Sequence, residues 1–213
     1  MTSLEQRGYH LKFFLDDSSE ELKDKYKDAI TRHNSMVETS NHPDSGFDLY
    51  TPLSEVEKLN EGIRKLYDDA LRIRSHEVWE LDSPMTHKAS MKVKTAMYRI
   101  SRDIEGGTTM TPVGFYLYPR SSISKTNVRL ANNTGIIDSG YRGCLAGMFD
   151  VISRITSDPQ GQRGGFLGLD PYHRLLQICS PTLEPFTVEM VFSESSLGVT
   201  DRGSGGFGST GSN

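Results

Sequence analysis

From Lys92 onwards the sequence breaks into short runs separated by Gly, Pro and Asn turns: 93–100, 113–118, 135–137, 145–152, 175–179 and 187–192. Strands of this length at this spacing predict an all-β barrel or jelly roll. Residues 8–15 carry aromatics with partial alternation and read as a further strand. The turn cluster Asn41-His-Pro-Asp-Ser-Gly46 leads into another at 47–50. Two stretches break the pattern. Ser18-Ser-Glu-Glu21 resembles a capping box and opens a polar helix to about residue 35. Its apolar face is only Leu22, Tyr26 and Ile30, which places it on the surface. After Ser54-Glu-Val-Glu57, the residues Val56, Leu59, Ile63, Leu66, Tyr67 and Ala70 recur at helical spacing, giving an amphipathic helix to about Arg74. The loop around Trp79 and Pro84 closes that segment.

A chain of 213 residues suggests one domain, here 1–201, with helical insertions near 18–35 and 54–78 and a separate tail at 202–213. The formal net charge of −4 argues against a nucleic-acid binder, which would show a basic surplus. A small phosphate ligand needs only local cations and stays open. The acids of the 54–74 helix are interspersed with Lys and Arg, which favours a solvated face over a carboxylate metal cage. Cys144 and Cys179 fit no metal spacing and no disulfide framework, and read as buried thiols in a reducing compartment. With no apolar run of signal-peptide or membrane-span type, the expectation is a protein that is cytoplasmic, or nuclear in a eukaryotic host, and neither secreted nor membrane-bound. Residues 158–165 read as an exposed loop.

The stretch Arg202-Gly-Ser-Gly-Gly-Phe-Gly-Ser-Thr-Gly211 is half glycine, so its backbone can approach a ligand closely. Arg202 offers a bidentate fork for a phosphate, Phe207 a stacking face, and Ser209 and Thr210 hydroxyl donors. Together they could clasp a polyanion that carries a flat ring. No Gly-Lys-Ser/Thr ends the stretch and no apolar helix follows, so it is not a Walker loop. Alone, the composition equally describes a flexible terminal tail.

Four further stretches stand upstream: Ser45-Gly-Phe-Asp-Leu-Tyr50, Tyr118-Pro-Arg-Ser-Ser122, Asn132-Asn-Thr-Gly-Ile-Ile-Asp-Ser-Gly-Tyr-Arg-Gly143 and Arg174-Leu-Leu-Gln-Ile178. With the glycine-rich end they resemble, in order, the five motifs of the trimeric dUTPases. The resemblance covers most of the chain from Phe47 to Gly211, and both helices are extra to it. It implies a mainly β fold, a dUTPase-like distorted jelly-roll β-barrel with two inserted surface helices and a flexible Gly-rich C-terminal arm. It implies hydrolysis of dUTP to dUMP and diphosphate, which limits uracil incorporation into DNA and supplies dUMP for thymidylate synthesis.

The same resemblance assigns roles. Asp138 is the candidate general base, orienting water and touching the sugar 3′-hydroxyl. Tyr141 lies against the deoxyribose and leaves no room for a 2′-hydroxyl. Asn132, Thr134, Gly135 and Ile137 form a tight hairpin that reads the uracil edge, rejecting a thymine methyl by crowding and cytosine by mismatched donors. Arg120, Ser121 and Ser122 match the Pro-Arg-Ser motif, with Ser122 in place of the commoner Gly. Asp48 holds metal-bound water, and Gln177 contacts phosphate or water. Tyr172 and His173 stand where a glycine is usual. Arg202 stabilises the outer phosphates, Phe207 stacks on uracil, and Gly206, Gly208, Ser209 and Thr210 complete a lid that excludes water. The metal implied is Mg²⁺, held by phosphates and waters with no direct protein ligand. The assembly implied is a homotrimer in which each site takes Asp138 from one chain and the 202–211 arm from another. The extra helices leave room for an unidentified protein partner.

Two other classes share features of this pattern. The dCTP deaminases have the same fold and an Arg-Ser-Ser run, but use a glutamate base and lack the Gly-Phe-Gly-Ser-Thr-Gly end. A regulatory binding protein on this fold would not need Asp138, Tyr141 and Phe207 together.

Overall fold

The computed structural model describes residues 8–74, 85–102, 106–152 and 168–205. The expected loops at 79–84 and 158–165, and the arm from Gly206 onwards, lie outside the described residues. The expected mainly β architecture with two helices is present.

Strand β1 (Gly8–Leu15) alternates, with Tyr9, Leu11 and Phe13 buried on one face. It sits inside a four-stranded sheet, parallel to β11 (Phe186–Val191) and antiparallel to β4 (Val93–Arg102), with β5 (Thr108–Val113) at the far edge. A second sheet runs β2 (Gly46–Leu49), β10 (Leu176–Cys179), β6 (Phe115–Pro119), β8 (Gly135–Ile137). A third runs β3 (Thr86–Ser90), β9 (Ala146–Val151), β7 (Val128–Leu130). The inward residues of the three sheets form one core, in which Leu11, Phe13, Leu117, Phe149, Leu176, Ile178 and Phe186 are all buried.

The expected single run 113–118 divides at Gly114, so that Val113 ends β5 in the first sheet and Phe115 starts β6 in the second. Strand β5 carries no apolar alternation and is almost wholly exposed; it is held by backbone pairing to β4, a force that leaves no mark in side-chain pattern.

Helix α1 (Glu20–Thr39) is capped by Ser19, whose hydroxyl accepts from Leu22 N at 3.2 Å, one residue later than the expected box. Asp17 fixes that turn by accepting from Ser19 N at 2.8 Å. The apolar stripe of α1 is thin but deeply buried. Tyr26 is fully buried, its ring 4.6 Å from Phe13 and 5.2 Å from Tyr50. Its hydroxyl donates to Tyr50 O and accepts from Tyr50 N. Asn34 donates to Val188 O and accepts from Val188 N, so α1 also covers the open edge of β11.

Helix α2 (Leu53–Arg74) buries Val56, Leu59 and Ile63 in the same core. Burial stabilises by about 1.5–3 kcal/mol per large apolar side chain. Both helices therefore have one face in solvent and one in the core, and are more than the surface additions their polar composition suggests.

Candidate active site

Alternation on the second sheet decides which motif residues meet. Phe47 and Leu49 turn inwards, as do Leu176, Ile178 and Leu117, so Asp48, Gln177 and Tyr118 share the outer face. They are register partners in a row: Asp48 faces Gln177, and Gln177 faces Tyr118. Arg120, just past β6, brings its Nε to 2.6 Å from Asp48 Oδ1. Arg174, just before β10, brings Nη1 to 3.0 Å from Oδ2. Burial is the largest influence on Asp48 and raises its pKa; the two guanidinium groups pull it back only in part. Ser121 and Ser122 open a short 3₁₀ turn behind Arg120, with Arg120 Nη1 at 3.5 Å from Ser122 Oγ. Together Asp44, Asp48, Tyr118, Arg120, Gln177 and Leu183 line an open cleft of about 600 Å³.

Two backbone positions shape this cleft. A Cβ on Gly46 would run into Gln177 Oε1, so only glycine leaves Gln177 its place beside Asp48. Tyr172 stands at φ 57° where a glycine would be relaxed. Its ring is buried and its hydroxyl donates to Glu21 Oε2 of α1 at 3.0 Å, which holds the strained turn ahead of Arg174.

A second cluster forms around the Asp138 turn. The Tyr141 amide donates to Asp138 O at 3.0 Å, and the Tyr141 hydroxyl donates to Cys144 O at 2.9 Å. Burial raises the pKa of that hydroxyl, keeping the ring neutral. The guanidinium of Arg202 holds the carboxylate of Asp138. Thr200 Oγ1 donates to Gly140 O at 2.5 Å, and the Arg142 amide donates to Gly203 O at 2.8 Å. Arg142 was not singled out by the motif reading, yet it is nearly buried and carries this junction. Its Nε donates to Leu197 O and Gly198 O, and its Nη1 to Ser139 O and Tyr141 O, all between 2.8 and 3.1 Å. The only sequence signal was an arginine lodged between Tyr141 and Gly143.

Within the single chain Arg202 pairs with its own Asp138, and Arg142 and Thr200 tie residues 197–203 to the Asp138 turn. Phe207, Ser209, Thr210, Gly206 and Gly208 lie outside the described residues.

The uracil-edge segment also differs. Asn132 is exposed and Thr134 half-buried, in a turn where Asn133 takes φ 58° and Thr134 N donates to Asn132 O at 2.5 Å. The flanking strands do not form the expected hairpin. Strand β7 pairs with β9 and β8 pairs with β6, so the turn carries the chain from the third sheet to the second. Gly135 and Ile137 lie on β8 opposite Leu117 and Phe115.

The register sets the distance between the two clusters. Asp138 follows Ile137, which faces Phe115 at one end of β6, whereas Gln177 faces Tyr118 at the other end. Asp48 lies two strands beyond β6 on the opposite side. At about 3.4 Å per residue and about 4.8 Å per strand, Asp138 and Asp48 stand roughly 15–20 Å apart. Asp138, Tyr141 and Arg202 accordingly do not line the Asp48 cleft. Among the described residues no group of three or more His, Cys, Asp or Glu side chains could hold a metal.

No family model matches the chain. It is 30% identical over 118 residues to the deoxyuridine 5′-triphosphate nucleotidohydrolase of Bordetella avium, an alignment spanning 50% of this chain and 70% of that protein. It is 34% identical over 122 residues to the enzyme of the same name from Polynucleobacter asymbioticus, spanning 51% of this chain and 72% of the relative. A solved structure of a mutant Staphylococcus bacteriophage 80alpha dUTPase with dUpNHpp aligns over 81% of this chain and 89% of its own, at 19% identity and a TM-score of 0.33.

Proposed function

The chain belongs to the deoxyuridine triphosphate nucleotidohydrolase family, and on that premise we propose that it hydrolyses dUTP to dUMP and diphosphate. Asp138 takes a proton from water, whose oxygen attacks the α-phosphorus as the bond to the departing diphosphate breaks. Arg202 leaves Asp138 for the phosphates, which frees the base as the substrate's charge arrives. Tyr141, its ring fixed by the bond to Cys144 O, closes the space beside the sugar. Gln177 and Ser121 with Ser122 hold phosphate oxygens from the wall that Arg120 shapes. Asn132, Thr134, Gly135 and Ile137 face the uracil edge. Mg²⁺ bound with the triphosphate supplies charge neutralisation, and Asp48 is the residue that would hold it through water.

The observation that carries the shared-site form of this reading is the separation of Asp138 from Asp48 within one chain. Groups that act on one phosphate must stand within a few ångströms of it, so the Asp138 cluster of one chain works against the Asp48 cleft of another. A homotrimer closes that arrangement with three equal sites. Incubation with dUTP and, separately, with each of the eight common nucleoside triphosphates tests the activity. Consumption of dUTP, with dUMP and diphosphate as products, supports it; ammonia released from dCTP would assign a deaminase instead.

A further inference from the structure

Helix α1 brings to the Asp48 region a cation that belongs to none of the five sequence motifs. Ala29, Arg32, His33 and Met36 fall on one helical face, at i, i+3, i+4 and i+7. With Asp44, Asp48 and Arg174 they line a small cavity of about 180 Å³ between α1 and β2. This cavity shares Asp44, Gly46 and Asp48 with the larger cleft, so the two adjoin along β2. His33 is spoken for, its Nε2 donating to Phe186 O at 2.8 Å. Arg120 and Arg174 are both bound to Asp48. Arg32 is exposed and pairs with no carboxylate among the described residues. Three guanidinium groups against Asp44 and Asp48 leave this combined wall one charge positive.

We propose that Arg32 forms a diphosphate subsite at the α1 end of the cleft, receiving the terminal phosphates of the substrate and the diphosphate that leaves. The inference deepens the hydrolase reading and rests on it for the identity of the anion. A guanidinium whose fork is uncommitted suits two adjacent phosphate oxygens, whereas Arg120 and Arg174 must first release a carboxylate to bind.

The test is calorimetric titration of the full chain and of Arg32→Gln with magnesium diphosphate and, separately, with dUMP. Loss of one charge-assisted pair is expected to weaken diphosphate binding about tenfold and to leave dUMP binding unchanged. Diphosphate affinity unaltered by the substitution overturns the proposal, and so does an equal loss for both ligands. Neither titration requires turnover. A chain that binds diphosphate through Arg32 but leaves dUTP intact would therefore contradict the hydrolase reading alone.

Discussion

Arg202 holds the carboxylate of Asp138 from within the same chain. Both side chains are substantially exposed, at 40% and 51%, so the pair adds little stability. Asp138→Asn is therefore expected to unfold within about 2–4 °C of the parent. Its turnover of dUTP should fall about 100- to 10,000-fold, the usual contribution of a positioned base, while equilibrium binding of dUTP persists. Steady-state rates beside a binding titration check both halves, and near-parental turnover would remove Asp138 from the chemistry.

Gly46 and Gln177 are coupled by space alone. A methyl at Gly46 meets Gln177 Oε1, so Gly46→Ala displaces the amide from the row it shares with Asp48. A shift of about 1 Å in a positioning group can cost about 100-fold in rate. The expected result is a folded protein with kcat reduced on that scale. Unchanged kcat would show that Gln177 does not contact the reacting phosphate.

Arg142→Met removes a buried guanidinium from four carbonyls, of which only Leu197 O keeps another side-chain donor, the Tyr98 hydroxyl. The expected loss is about 1–3 kcal/mol in denaturant unfolding. It should come with earlier proteolytic cleavage after residue 197, since the arm's root loses its anchor. Parental protease resistance would contradict the anchoring role.

Burial pushes the Cys179 thiol up to about 11, from an ordinary value of 9.0. Because the folded value lies above the unfolded one, the neutral thiol contributes stability below about pH 9, and this is lost as pH rises through about 11. The folded protein should thus leave Cys179 unmodified by iodoacetamide at pH 8 and expose it only on unfolding. Rapid labelling of the native chain at that position, read by peptide mass spectrometry, would contradict the burial.

Much of the Asp48 cleft was legible in the sequence. Asp48, Arg120 and Gln177 sit in ordered motifs on or beside short strands, and period-two alternation puts Asp48 and Gln177 on one face once the strands pair. What stayed hidden were interactions with no local signature. Strand β5 is held by backbone pairing, without a buried face to announce it. Tyr26 reads as one residue of a thin stripe, although its ring and hydroxyl bind α1 to the core. Arg142 works through carbonyls supplied from more than fifty residues away. The same tie brings Arg202 onto Asp138 within the chain, a contact between residues 64 apart that no local pattern announces.

The shared site is tested most directly by mixing two inactive chains, Asp138→Asn and Asp48→Asn, after joint unfolding and refolding. If each site takes Asp138 from one chain and Asp48 from the next, every mixed trimer holds one intact site of three. Equal amounts give about three quarters mixed trimers, so roughly a quarter of parental activity should return. Sites built wholly within one chain could never be restored this way. Continued inactivity in trimers shown by mass to be mixed would contradict the account.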